Sequence, residues 1–540
     1  MTLFDKILAA RGYTPETRAV FLSPDYNQRH DPFLLPDMQA AVDRLVIARD
    51  KQEKIMIYGD YDIDGLTATT VLIDAFKSFG FTDVSAFIPN RFVEGYGLTI
   101  DAVEKIAADG AELIVTVDCG SLSHKEVARA NELGVDVIVT DHHNVAETPP
   151  PAIATINPKR TDHQYPFIDL AGVGVAFKLV QALQTRLEGL EPGQEKWLLD
   201  LVALGTVCDV VTLVDENRTN VYWGLKVLAQ TRRPGLKALM AVAEVRPETL
   251  NARSLGFGLG PRMNAAGRLE TALYSLDLLT ATDGIEALEI ARKLDEMNKA
   301  RRTEQDKIFK QAIIQAEEHL QDPVLVVSGK DWNHGIVGIV AAKLLEKYKK
   351  PTYVLEEMGE EAKGSARSYG DYSAADGIRA SDDIIIKGGG HKLAAGVTLK
   401  TENIPAFRER VNQFFKDQKF REQTSLLLPK ADTDAEVGDL DLDLVTALEK
   451  LEPFGNGNPQ PILKTNDVLV MNKRTMGADG QHLKLKLQSN EGRSIEMLMF
   501  NAPAHFFVEP GERVTVWYTL DVNEWQGRRT VEGRLLHLEQ

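Results

Sequence analysis

A chain of 540 residues with 44% apolar side chains is long enough for about three to five domains, and it is neither a disordered nor a fibrous polymer. Its formal net charge of −17, from 62 Lys and Arg against 79 Asp and Glu, argues against a generic nucleic-acid coat protein but not against a nuclease, since a local basic groove can guide a strand within an acidic protein. No apolar run approaches the roughly 18–20 residues that span a bilayer, and two cysteines, Cys119 and Cys208, are too few for a disulfide framework or a thiolate zinc site.

Residues 1–45 are predicted as a helical segment with a proline-rich exit, SPDYNQRHDPFLLPDM. Asp5 stands where a signal peptide would be basic and then apolar, so a cytoplasmic location is expected. A catalytic domain over 46–235 follows. In it, strands at 54–58, 84–90, 112–118 and 135–141 alternate with helices at 67–80, 100–110 and 123–134, the pattern of an α/β fold with a parallel sheet. Residues 172–233 are predicted mostly helical. The segment 236–320 is expected as a helical linker ending in one long polar helix at 285–320, a solvated connector. A second α/β domain spans 321–425, with strands at 324–329 and 351–357 around a helix at 335–347 and a glycine cluster at 387–396. From 426 to 540 strict alternation, as in HLKLKLQ and RVTVWYTL, predicts a small β-barrel. The alternation places one of Trp517 and Tyr518 inside it.

Four segments carry chemistry. YGDYDIDG (58–65) holds Asp60, Asp62 and Asp64, whose spacing puts three carboxylates on one side of an extended chain. Such like charges repel strongly unless a cation sits among them. It is not a calcium-binding helix-loop-helix, because Val71 stands where that loop needs Glu. Asp118 directly follows LIVTV, and Asp141-His142-His143 directly follow VDVIVT. These positions are strand ends, where open parallel sheets bind ligands. Asp209 lies in the apolar stretch GTVCDVVTL, where an unpartnered carboxylate is costly. An oxygen-rich set with imidazole favours Mn²⁺ or Mg²⁺ over structural zinc. Two such ions about 3.5–4 Å apart clamp a phosphate and activate water. Neither a phosphate-binding lysine loop nor a nucleophilic-serine turn is present.

DYDIDG, TVDCG, DHH and Asp209, in that order, resemble the motifs of the DHH phosphoesterase superfamily. PRMNAAGRL (261–269), GSARS (364–368), GGGHKLAAG (388–396) and LEPFGNGNP (451–459) extend the resemblance over nearly the whole chain, to the RecJ family within it. The resemblance implies a DHH domain, a DHHA1 domain and an OB-like barrel in a ring-like or clamp-like assembly. It implies metal-dependent hydrolysis of single-stranded DNA from the 5′ end to mononucleotides, in repair and recombination. Asp60, Asp62, Asp64, Asp118, His142 and Asp209 would hold two metal ions, with Asp118 bridging. His143 would face the scissile phosphate, Asp141 would orient the histidines, and His391 would contact the adjacent nucleotide. Arg91, Arg268, Ser365 and Arg367 would form the 5′-phosphate pocket, Asn264 would also bind substrate, and Lys473, Arg474 and Trp525 would hold the strand on the barrel. Two departures stand out: Tyr58 occupies a position that is often His in the superfamily, and His334 is displaced by one residue in Asp331-Trp332-Asn333-His334-Gly335, so no role passes to it. A monomer is expected, with a single-strand-binding protein and a helicase as partners. Two alternatives stay open: a phosphoesterase for short oligonucleotides or cyclic dinucleotides, and a non-catalytic single-strand-binding scaffold.

Overall fold

The apolar runs between residues 54 and 156 form a five-stranded, all-parallel sheet. Its strands are β1 (Ile55–Gly59), β2 (Val84–Phe87), β3 (Leu113–Val117), β4 (Asp136–Thr140) and β5 (Ala154–Ile156), in the order β2-β1-β3-β4-β5. β1 and β3 are buried along their whole length, which is why they read as unbroken apolar runs rather than alternations. The order reverses between β1 and β3, the topological switch point at which such sheets bind ligands. β5, only three residues long, was too short to predict.

This computed structural model describes residues 1–95, 97–420, 428–477, 480–503, 506 and 508–540; the side chain of Trp525 lies outside the described set. The chain falls into two units, Met1–Pro89 with Val93–Gly260 and Pro429–Gln540, and Asn90–Phe92 with Pro261–Leu428.

In the first unit, the helix Ile63–Ser78 begins four residues before the predicted start. Asp62 caps it, accepting from the N–H groups of Asp64 (2.9 Å) and Gly65 (3.2 Å). The extended segment with three carboxylates on one side therefore does not form; the cap turns Asp64 away from Asp60. Helices Gly172–Leu183, Leu199–Cys208 and Asp215–Leu228 follow, as expected for 172–233.

The N-terminal helices Leu3–Ala10 and Pro15–Leu22 are not an independent segment. Ile7, Leu8 and Phe21 share one core with Leu451, Leu463, Val516 and Tyr518 of the C-terminal barrel, and Arg11 pairs with Asp432 at 2.7 Å. The helix Met38–Lys51 runs through residue 45.

The second unit contains β6 (Leu325–Lys330), β7 (Thr352–Met358), β8 (Glu361–Arg367), β9 (Ile385–Gly390) and β10 (Ala394–Lys400), in the order β6-β7-β8-β10-β9. Only β6 and β7 pair in parallel. The long helix Gly284–Glu318 lies wholly in this unit and is not a solvated connector. Ala287, Ala291, Leu294, Ile308, Ala312 and Ala316 are buried, and its second half joins a core with Val327, Trp332 and Ile336. The seam is narrow, with alanine and polar side chains such as Asn298 and Gln305 along it, so the charged faces dominate its composition.

The barrel of the first unit adds β11 (Thr433–Asp434), β12 (Leu463–Met476), β13 (His482–Gln488), β14 (Ser494–Met499), β15 (Arg513–Trp525) and β16 (Arg528–Glu539). Pairing of β12 with β15 closes it. Tyr518 points inside and is fully buried, while Trp517 is partly exposed, as the alternation predicts. Among the described residues no helix is long and apolar enough to cross a membrane.

Candidate metal centre

Strand ends and helix ends of the first unit deliver the charged side chains to one place. Asp60 follows β1, Asp118 follows β3, and Asp141-His142-His143 follow β4. Asp62 and Asp64 open the 63–78 helix, and Asp209 caps the C-terminus of the 199–208 helix. Three groups of ligand atoms, each with all members within 4.8 Å of one another, result: Asp60, Asp62 and Asp118; Asp64, His142 and Asp209; and Asp118, His142 and His143. Asp118 and His142 each belong to two groups.

The donor atoms fit cations better than they fit one another. His142 Nε2 lies 3.1 Å from Asp118 Oδ1, 3.6 Å from Asp209 Oδ2 and 3.8 Å from Asp64 Oδ2. Yet His142 Nε2, Asp118 Oδ1 and Asp209 Oδ2 are buried without a hydrogen-bond partner. Buried polar atoms converging without bonding one another are what a divalent cation's ligand shell looks like. Asp118 also has a left-handed backbone, φ 61, an uncommon conformation that marks functional positions.

A second layer of bonds holds these ligands in place. The N–H groups of Gly172 (2.6 Å) and Val173 (2.9 Å), at the start of the 172–183 helix, donate to Asp64. Asp141 Oδ1 accepts from the N–H groups of His142 (2.7 Å) and His143 (3.0 Å) and lies 2.9 Å from His143 Nδ1. Its Oδ2 accepts from the Ser121 N–H at 2.9 Å. Asn157 donates to the His143 carbonyl at 2.9 Å. Asp141 thus bonds both histidines and is absent from all three ligand groups.

Titration follows from this crowding. Burial pushes Asp64 up to about 7, with Asp62 adding to the effect. Burial and then the charges of Asp64 and Asp62 push Asp209 up to about 9, and Asp118 is raised well above its ordinary value by burial and its carboxylate neighbours. Burial, then His143, lowers His142 to about 3, leaving the neutral imidazole that metals require. Burial opposes the charged forms of Asp141 and His143, but their hydrogen bond and the neighbouring charges together outweigh it, lowering Asp141 and raising His143.

The second unit gathers the expected phosphate-binding residues. Lys363, Ser365 and Arg367 alternate on one face of β8. A β-carbon on Gly338, in the 334–348 helix, would lie 3.3 Å from both Ser365 Oγ and Arg367 Nη2. Arg268 Nη1 donates to the Gly335 carbonyl at 2.8 Å, and Asn264 sits one turn before Arg268 in the same helix. Arg91 lies between Asn90, which donates to the Glu270 carbonyl at 3.1 Å, and Phe92, whose ring meets His334 at 4.9 Å. His334 lines a cavity of about 390 Å³ with Lys363, Ser365, Lys387 and Thr398, and its Nδ1 is 3.2 Å from Glu356. His391 is exposed on the turn between β9 and β10. On the barrel, Lys473 pairs with Glu509 and Arg474 is exposed. Trp517 instead stands beside Lys464 (4.9 Å) and His537 (5.2 Å).

Comparison with known proteins decides the family. The DHH family N-terminal domain matches residues 54–206, the DHHA1 domain 321–417 and the RecJ OB domain 431–537. The single-stranded-DNA-specific exonuclease RecJ of Salmonella typhimurium is 34% identical over 92% of this chain and 89% of its own. The chain belongs to the RecJ family. RecJ of Bacillus subtilis is 38% identical over 98% of this chain, which spans 66% of that protein's length. RecJ of Thermus thermophilus, solved with Mn²⁺, superposes with a TM-score of 0.82 at 28% identity, covering 99% of this chain and 78% of that one. The same RecJ has been solved with Mg²⁺, with a TM-score of 0.78 at 27% identity over 99% and 76% of the two chains.

Sequence reasoning missed several residues that surround the candidate site. Gly172 and Val173 were signalled by the small-residue run AGVGV, which lets a helix start approach a carboxylate closely. Lys363 was signalled by its two-residue offset from Ser365 on a strand. His334 was set aside for its displaced position, and Ser121 and Asn157 carry no local signal at all.

Proposed function

We propose that this chain is a metal-dependent exonuclease that hydrolyses single-stranded DNA from its 5′ end. The observation that carries the reaction class is the convergence of Asp60, Asp62, Asp64, Asp118, His142 and Asp209 into overlapping ligand groups. Membership of the RecJ family supports the substrate. Two divalent cations held by these residues supply a nucleophilic water at neutral pH and charge neutralisation on the phosphate. The protein's own residues do the rest. Asp118 bridges, the backbone N–H groups of Gly172 and Val173 fix Asp64, and Asp141 fixes both histidines. His143, with Nδ1 directed at Asp141, keeps Nε2 for the scissile phosphate.

The 5′ polarity rests on membership of the RecJ family; the forked guanidinium groups of Arg91, Arg268 and Arg367 and the Ser365 hydroxyl suit a terminal phosphate, with Asn264 and His391 beside the first nucleotides. The barrel holds the trailing strand through Trp517, Lys464 and Arg474. The protein acts in the cytoplasm as a monomer, alongside a helicase that exposes single strands and a protein that coats them. Digestion of strands labelled at either end, with Mn²⁺, Mg²⁺ or a chelator, tests this reading. Release of the 5′ label first, abolished by chelator, is expected. Loss of the 3′ label first would reverse the polarity.

A further inference from the structure

Asp209 caps the C-terminus of its helix, and among the described residues no protein group hydrogen-bonds its buried Oδ2. Its direction is therefore set by its backbone. The next residue, Val210, has φ 63, a left-handed conformation that glycine usually supplies at helix ends and that a β-branched side chain resists. Val210 is 65% exposed, so packing of its side chain does not hold it there.

What holds it is the loop between the helix Leu442–Glu449 and β12. Asn456 Nδ2 donates to the Val210 carbonyl at 3.0 Å, and the Leu213 N–H donates to the Asn456 carbonyl at 2.7 Å. Two glycines permit the approach: a β-carbon at Gly455 would lie 2.6 Å from Leu213 Cδ1, and one at Gly457, φ 72, would lie 3.1 Å from Thr212 Cβ. The loop is itself anchored. Gly455 and Asn458 exchange backbone hydrogen bonds at 2.9 and 3.1 Å, Asn458 Nδ2 donates to the carbonyls of Leu451 and Pro453 at 2.9 Å, and Arg218 donates to the Leu451 carbonyl at 2.9 Å.

We propose that residues 454–458 brace the end of the 199–208 helix and thereby aim Asp209 at the metal centre, with Asn456 as the positioning residue. The inference rests on the reading of Asp209 as a metal ligand. It assigns the FGNGN segment a task in metal binding and ties the C-terminal barrel to the catalytic domain's chemistry.

The test is Mn²⁺ titration of the metal-free full-length chain by calorimetry, with single-strand digestion in parallel. Asn456→Ala should weaken Mn²⁺ binding about 10-fold, the lower end of the effect of removing an outer-sphere partner. Its kcat should fall with it, while KM for DNA stays within about 2-fold. Adding Val210→Gly should restore Mn²⁺ affinity, because glycine holds the left-handed backbone without a brace. Gly455→Ala, which crowds Leu213, should reproduce the loss. Asp209→Ala is the reference. If it weakens Mn²⁺ binding while Asn456→Ala and Gly455→Ala do not, or if Val210→Gly gives no recovery, the brace is overturned alone. If Asp209→Ala itself leaves Mn²⁺ affinity intact, the assignment of Asp209 as a ligand fails, and the brace with it.

Discussion

Gly172→Ala is the most informative single substitution, because it damages the metal centre without altering a ligand. The new β-carbon would lie 2.8 Å from both Cβ and Oδ1 of Asp118, where ordinary contact begins at 3.4 Å. About 0.6 Å must therefore be found, from 3.4 less 2.8. The helix start cannot easily give it, since its N–H bonds Asp64 at 2.6 Å. Asp118, the carboxylate proposed to bridge, must move instead. Overpacking of this kind destabilises by about 1–3 kcal/mol, and replacing a helical glycine by alanine returns up to about 1 kcal/mol. The net effect on folding is thus small, a few degrees in Tm. A catalytic group misplaced by about 1 Å loses about 100-fold, so kcat should fall about 10- to 100-fold, with weakened Mn²⁺ binding. Steady-state digestion of a 5′-phosphorylated strand across a Mn²⁺ titration, with thermal melts as control, reads both quantities. Unchanged kcat and Mn²⁺ dependence would refute the placement of Asp118 between the two ions.

Asp141→Asn should lower kcat about 10- to 100-fold, since outer-sphere partners of metal-binding histidines carry that weight; a loss confined to KM would contradict the orienting role. Stability of the metal-free protein should fall as pH rises from the ordinary carboxylate range, about 4, to about 9, with the Asp64 contribution exhausted near 7. Asp64 and Asp209, raised to about 7 and about 9 when folded, hold protons that the unfolded chain has already released, so their contribution disappears as pH rises through those values. Mn²⁺ replaces those protons and should abolish the decline; a flat metal-free melting curve across this range would count against the crowded carboxylates. Arg367→Ala should raise KM for a 5′-phosphorylated strand about 10-fold and leave a 5′-hydroxyl strand little changed, and equal losses on both would remove Arg367 from the terminal-phosphate pocket.

Much of the metal centre was legible in the sequence because strand ends are local. A buried parallel strand is an unbroken apolar run, and the residue after it must lie on the sheet's carboxyl edge, so Asp60, Asp118 and Asp141–His143 were placed together from pattern alone. The separate role of Asp141 came from the family resemblance rather than from this pattern. The barrel was legible through its period of two, down to the inward turn of Tyr518. Tertiary structure alone decided what depends on segments distant in the chain. The N-terminal helices complete the barrel's core because their own apolar faces are too small to be buried alone. The 284–318 helix is buried along one narrow seam of small, apolar and polar residues that composition hides beneath its charges. Asp64 is held by the N–H groups of Gly172 and Val173, over a hundred residues away, and Val210 is held left-handed by Asn456 from 246 residues away. Backbone hydrogen-bond partners leave no side-chain signature, so only the folded chain could reveal which bonds aim the carboxylates that the sequence had already named.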